Sequence, residues 1–180
     1  EITPEHIFQK KPFLFFQDKN SELDNYFSKQ KKNIILVIGS TWESRNYPKE
    51  NFLEVAEQLQ QNCLVAWGNE AEYEKAQWLN EHSKWVQILP KLDLNDLKAA
   101  IAKADLIIGN DTGPTHLAWG LNKPAIVLFG CTPVSRVYQT DINKVLKSPS
   151  VVNPYKLNKE DFSIAEIKVA QIVELARSLL

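Results

Sequence analysis

Methionine is absent from the 180 residues, and cysteine occurs only twice, at Cys63 and Cys131. Two cysteines cannot build a disulfide framework, and both stand in apolar runs, where they read as small buried hydrophobes. No apolar stretch approaches the length of a membrane-spanning helix. The opening residues, Glu1-Ile2-Thr3-Pro4-Glu5-His6, lack the basic-then-apolar order of a signal peptide, so a cytoplasmic location is expected. A start without methionine leads us to expect a trimmed product or an excised piece. Neither charge is in excess: 21 Lys and Arg face 22 Asp and Glu, for a formal charge of -1. That balance argues against a broadly basic surface for nucleic acid or anionic lipid. There is no G-x-G-x-x-G, P-loop, G-x-S-x-G or H-E-x-x-H. The three histidines are scattered, so no metal site and no cofactor are expected.

What is present is the composition of a globular protein, 44% apolar and 24% charged, which excludes wholesale disorder. The length suits one domain, or one with an appendage, burying roughly 70% of its unfolded surface. Short runs rich in Ile, Val and Phe alternate with segments of helical period. Residues 33–39, 63–68, 85–89, 105–109 and 124–130 are nearly continuous in apolar side chains, as strands covered on both faces are. Residues 13–16 read as a further strand or a packed linker, and 145–147 as a weaker strand. Helical period appears in 48–62 through Phe52, Val55, Ala56 and Leu59, with Pro48 in the first turn. A more polar helix is expected at 70–82. Another covers 93–103, with Leu94, Leu97 and Ile101 on one face and Asp93 as N-cap. Ser163-Ile164-Ala165-Glu166 reads as a capping box that starts a last helix carrying Val169, Ile172, Val173, Ala176 and Leu180. Such alternation predicts an α/β fold, a Rossmann-like parallel sheet with helices on both faces and right-handed crossovers. Residues 1–32 read as a linker segment outside the core, and residues 33–180 as the Rossmann-like domain.

Ligands of open parallel sheets bind beyond the carboxyl ends of the strands, so the loops after the apolar runs carry the functional question. The first is Gly39-Ser40-Thr41-Trp42-Glu43-Ser44-Arg45-Asn46-Tyr47-Pro48. Ser40 and Thr41 offer donors, Arg45 offers a planar fork for phosphate oxygens, and a helix N-terminus follows. An ordinary polar loop is the alternative. The second is Gly109-Asn110-Asp111-Thr112-Gly113-Pro114-Thr115-His116, a tight turn opening a helix over 115–121. Its polar groups suit an anion at the helix N-terminus, although Asp111 could simply cap the helix and His116 could be a packed histidine. In the third, Trp67-Gly68-Asn69-Glu70-Ala71-Glu72, an aromatic and a glycine can shape a flat pocket. Glu72 there either accepts from hydroxyls or serves the helix dipole. A fourth loop, Phe129-Gly130-Cys131-Thr132-Pro133, is expected to flank the second.

The run Asn110-Asp111-Thr112-Gly113-Pro114-Thr115-His116-Leu117-Ala118, then Lys123-Pro124 and Phe129-Gly130-Cys131-Thr132-Pro133, resembles the lipopolysaccharide heptosyltransferases of glycosyltransferase family 9. Their signature is a D-T-G-x-x-H turn, a small-to-apolar helix, [KR]-P and a G-x-T loop. Gly39-Ser40-Thr41 with Tyr47-Pro48, Trp67-Gly68 with Glu72, and Leu89-Pro90-Lys91 extend the likeness over residues 33–135. The resemblance implies one half of a GT-B enzyme, the C-terminal domain that binds ADP-heptose. It implies that Ser40, Thr41, Arg45, Thr112, Gly113 and His116 contact the diphosphate. Glu72 would lie near the ribose, Leu92 in the adenine pocket and Asp111 near the heptose. The lipid A–Kdo or heptose acceptor and the general base would belong to an N-terminal domain absent from this chain. This chain would then be inactive alone, with no catalytic residue in it, and contact with the cytoplasmic face of the inner membrane would fall to the other half. The sequence departs from the family where Arg45 replaces a frequent lysine and where the bulky Trp42 stands in the loop. A GT-B enzyme using another nucleotide sugar, a non-catalytic nucleotide-binding module and a two-domain nucleotide-sugar epimerase remain alternatives.

Overall fold

The computed structural model describes residues 3–180; residues 1 and 2 of the linker segment lie outside the described residues. Six strands form one parallel sheet: β1 Asn33–Val37, β2 Asn62–Ala66, β3 Val86–Ile88, β4 Leu106–Asn110, β5 Ala125–Phe129 and β6 Asn143–Lys147. Their spatial order is β3-β2-β1-β4-β5-β6. The helices are α1 Pro4–Phe8, α2 Lys49–Leu59, α3 Glu70–His82, α4 Leu94–Lys103, α5 Gly113–Gly120 and α6 Val169–Leu179. None is long and apolar enough to cross a membrane.

The apolar runs are strands because both faces of the sheet are covered. Ile34 and Leu36 point into a layer with Phe52, Val55 and Ala56 of α2, Leu79 of α3 and Ile172 of α6. Ile35 and Val37 point the other way, into Ala100 and Ile101 of α4 and Ala118 of α5. A side chain buried to this extent contributes about 1.5–3 kcal/mol. Both cysteines are free and buried.

Several boundaries differ from the expected ones for identifiable reasons. α2 stops at Leu59 because Gln60 takes a left-handed conformation (φ 54°), and Pro48 is its N-cap rather than a first-turn residue. α5 starts two residues early, at Gly113, with Thr112 as N-cap. Ser163–Glu166 is a separate 3₁₀ turn and not the start of the last helix. The Ser163 hydroxyl is engaged at 2.8 Å by Ser148, and the Ile167 carbonyl accepts from the Tyr47 hydroxyl at 2.6 Å. Ile167 and Lys168 are extended, and α6 begins at Val169. Residues 13–16 form no strand; the Phe13 amide donates to the Gly120 carbonyl at 2.9 Å.

The expectation that residues 1–32 lie outside the core needs correction. Leu23 is fully buried, and Leu14, Phe16, Tyr26 and Phe27 pack on the same layer. Asn20 also donates to Asp96 of α4 at 2.7 Å. The polarity of residues 17–32 hid a few apolar anchors spaced along an irregular strap.

The strand order positions the site. The chain runs outward from β1 through β2 to β3, then returns to place β4 on the other side of β1. Helices on opposite faces leave from these two neighbouring strand tips, opening the crevice in which such sheets bind ligands. Val37 and Gly109 are register partners, so the loops that follow them start side by side.

Candidate functional site

Close contact between β1 and β4 depends on Gly109. A Cβ there would lie 2.5 Å from the Val37 Cβ and 2.8 Å from the Val37 carbonyl oxygen. Beyond the strands, Asn110 stitches the two loops together. Its buried side-chain oxygen accepts from the Tyr47 amide at 3.0 Å, and its carbonyl accepts from the Thr115 hydroxyl at 2.8 Å. The Tyr47 ring is itself buried, which pushes its hydroxyl up to about 12.

Asp111 follows and is almost wholly buried. Its Oδ1 accepts from His116 Nε2 at 2.8 Å, and its Oδ2 from Thr132 Oγ1 at 2.8 Å. Arg45 reaches Oδ2 through a terminal guanidinium nitrogen at 3.0 Å. Burial works to raise the carboxyl, but the His116 and Thr132 hydrogen bonds and the Arg45 charge outweigh it, holding Asp111 below the usual range. The carboxylate is therefore ionised, accepting hydrogen bonds from His116 and Thr132 and pairing with the Arg45 charge. Asp111 is not the cap of α5, a place taken by Thr112, and His116 is not a passively packed histidine.

Beside this cluster lies a cavity of about 230 Å³, lined by Gly39, Trp67, Gly68, Glu72, Leu92 and Thr112 among others. It joins the tips of β1, β2 and β4. Trp67 is fixed by its indole N–H, which donates to the Leu89 carbonyl at 2.7 Å. The Glu72 carboxylate accepts from the Gly68 amide at 2.7 Å and the Asn69 side chain at 2.9 Å. It passes so close to Gly39 that a Cβ there would lie 2.0 Å from Oε1. Glu72 is thus both a wall of the cavity and a brace for the loop that begins α3.

Six of the nine residues singled out in sequence fall into two adjoining groups. Arg45, Asp111 and His116 are bonded to one another, while Glu72, Leu92 and Thr112 line the cavity. Ser40 follows Gly39, and its hydroxyl is buried without a hydrogen-bond partner among the described residues, as is the Arg45 Nε. Thr41 is exposed, and Gly113 faces open space at the start of α5. Two further residues of the site carried no role in the sequence reading. Thr132 belongs to the loop expected to flank Asp111, and its hydroxyl makes the contact. Asn110 stands inside the D-T-G-x-x-H neighbourhood, but nothing local shows that its side chain reaches across to Tyr47. Trp42 lies against two cations, Arg45 at 5.5 Å and Lys159 at 4.6 Å from its ring centre.

Comparison with known proteins was made against this geometry. The model of glycosyltransferase family 9 (heptosyltransferase) matches residues 8–160, a longer stretch than the motifs alone suggested. Lipopolysaccharide heptosyltransferase 1 of Campylobacter coli is 38% identical over 163 residues, covering 84% of this chain and 48% of that protein. In fold, the chain is similar to E. coli heptosyltransferase WaaC solved with ADP, with a TM-score of 0.72 at 20% identity, covering 88% of this chain and 47% of that one. A glycosyltransferase family 9 structure from Veillonella parvula gives a TM-score of 0.73 at 23% identity, over 88% of this chain and 50% of that one. The chain thus spans about half the length of the Campylobacter relative and of both solved chains.

Proposed function

Since the chain belongs to glycosyltransferase family 9, we propose that it is the donor-binding half of a lipopolysaccharide core heptosyltransferase, taking heptose from ADP-heptose. Residues 33–180 are the donor domain and residues 1–32 a linker segment, whose Leu14, Phe16, Leu23, Tyr26 and Phe27 pack on it. A separate domain outside this chain holds the Kdo–lipid A or heptose acceptor and the general base. The whole enzyme works in the cytoplasm, and any contact with the inner membrane is made by that other half.

One observation carries the reading: the Arg45–Asp111–His116 cluster sits directly beside a cavity shaped by Trp67, Glu72 and Leu92. A nucleoside diphosphate needs both parts, an apolar slot with a carboxylate for the nucleoside and a corner of N–H and hydroxyl donors, the Arg45 guanidinium among them, for the phosphates. Ser40 and Arg45 also have buried donor atoms without partners among the described residues, which suits phosphate oxygens. The backbone N–H groups at the start of α5 add partial positive charge. ADP as the nucleotide is favoured by the WaaC structures, solved with ADP and with ADP-2-deoxy-2-fluoro heptose.

The chemistry follows from where charge develops. An acceptor hydroxyl, deprotonated by the base of the other half, attacks the anomeric carbon of heptose from the face opposite the diphosphate. The bond from that carbon to the β-phosphate oxygen breaks, configuration inverts and ADP departs with growing negative charge. Arg45, the Ser40 and Thr41 hydroxyls, His116 and the N–H groups of Thr112 and Gly113 are the groups that can stabilise that charge. Loss of one donor acting mainly in the transition state lowers the rate on the order of 10²–10³-fold.

Calorimetric titration of this chain with ADP, UDP and GDP tests the proposal. Saturable binding with ADP tightest is expected, and ADP at a hundredfold excess over its Kd should stabilise the fold by about 2.7 kcal/mol. Tightest binding of UDP would overturn the choice of donor. Lack of saturable binding to all three would leave a nucleotide-independent module instead.

A further inference from the structure

One buried hydroxyl at the site has no part in the donor chemistry above. Thr132 is fully buried, and its Oγ1 lies 2.8 Å from Asp111 Oδ2. An ionised carboxylate only accepts, so the threonine hydroxyl is the donor. The same oxygen is paired with the Arg45 guanidinium at 3.0 Å, while Oδ1 accepts from His116 at 2.8 Å. One carboxylate therefore joins side chains from the β1 loop, helix α5 and the β5 loop. Arg45 and His116 are long or hinged side chains that reach solvent in part. Thr132 is neither.

The backbone that carries Thr132 is held from several directions. The Phe129 carbonyl accepts from the Ser148 amide at 2.8 Å. The Lys147 ammonium binds the Gly130 carbonyl at 2.6 Å and the Ser150 carbonyl at 3.1 Å, tying the β5 loop to the segment after β6. Gly130 packs so tightly on the 3₁₀ turn that a Cβ would lie 2.7 Å from the Ile164 Cβ. Cys131 Sγ touches Ser44 Oγ at 3.5 Å, fastening the same loop to the one that bears Arg45. The short Thr132 side chain thus brings a fixed donor to Asp111 Oδ2.

We propose that Thr132 is a positioning residue, holding the Asp111 carboxylate in the orientation that presents Arg45 and His116 together to the donor diphosphate. The proposal rests on the donor-site reading and extends it to a residue that does not touch the ligand. Without the hydroxyl, Oδ2 keeps only its ion pair with Arg45, and the carboxylate can turn toward it and loosen His116.

Thr132→Val keeps the shape and removes the donor; Thr132→Ser keeps the donor. Two quantities separate a positioning role from a merely structural one: ADP affinity by calorimetry and the Asp111 titration midpoint by carboxyl NMR. In Thr132→Val, ADP affinity should fall roughly tenfold, the loss expected for one charge-assisted hydrogen bond, and the Asp111 midpoint should rise. Thr132→Ser should restore both. Independently of any variant, the Thr132 hydroxyl proton of the unaltered chain should exchange slowly enough for NMR to detect it. A Thr132→Val chain with undiminished ADP affinity or an unmoved Asp111 midpoint would overturn the proposal, as would a rapidly exchanging hydroxyl in the unaltered chain. Failure of the unaltered chain to bind ADP would overturn the donor-site reading and the donor role of Thr132 with it. ADP binding that survives intact in Thr132→Val would overturn the Thr132 assignment alone.

Discussion

Asp111→Ala should destabilise the chain by about 3 kcal/mol and remove ADP binding, because it takes one carboxylate from two hydrogen-bond donors and a charge partner at once. Breaking a buried ion pair from one side costs about 3–5 kcal/mol, and the low end applies because Arg45 is 13% exposed and can swing toward water. His116, at 35%, has still more freedom. Urea titration of the two proteins measures the difference. A loss below about 1 kcal/mol would mean that the pair behaves as an exposed one.

The same carboxylate sets a pH dependence with a definite sign. Its pKa in the folded state lies below the unfolded value, so the unfolded chain takes up the proton first as pH falls. The stability that Asp111 contributes is complete above the ordinary aspartate value of about 4 and is lost as pH drops through the lower folded value. The stability gap between the unaltered chain and Asp111→Asn should therefore stay constant near neutrality and narrow below that point. A gap that widens on acidification would contradict the network of donors around Asp111.

Gly109→Ala is expected to have an effect of similar size through packing alone. Its methyl group would meet the Val37 Cβ at 2.5 Å, the Thr115 hydroxyl at 2.7 Å and the Val37 carbonyl at 2.8 Å. Two of these atoms belong to a central strand and cannot swing aside, so the cost should reach the upper end of overpacking, about 3 kcal/mol. Relief requires β1 and β4 to part, which also draws Arg45 away from Asp111, so ADP affinity should fall in whatever fraction folds. Gly113→Ala is the control: nothing lies within 4 Å of a Cβ placed there. Its stability should stay within roughly 0.5 kcal/mol of the original or rise slightly with the better helix former. Equal destabilisation by the two alanines would show that glycine flexibility, rather than the approach of the two strands, governs this region.

Much of the molecule follows from local pattern. Five apolar runs became parallel strands, four of them buried throughout and β3 an edge strand with Gln87 exposed; the weaker run at 145–147 became β6, and α3 has the expected limits. Asp93 caps α4, its carboxylate accepting from the Asp96 amide at 2.8 Å. These features need only neighbours in the chain: a strand covered on both faces must be apolar throughout, and a cap must stand beside its helix. The capping box at Ser163 misled for the complementary reason. Its residue types are right, but Ser148, on the segment after β6, engages the Ser163 hydroxyl, and Asp161 accepts from the Ser163 amide.

What the amino-acid order determined by itself is a layered α/β chain with polar, glycine-marked loops at its strand ends, since hydrophobic period and turn chemistry act over a few residues. Only the tertiary structure decided that Arg45, Asp111, His116 and Thr132 meet at one carboxylate, and that Leu23 of the polar leading segment belongs to the core. Those outcomes depend on which strand lies beside which. Pairing β1 with β4, across some seventy residues of intervening chain, is settled by the joint burial of both sheet faces and leaves no trace in any short stretch.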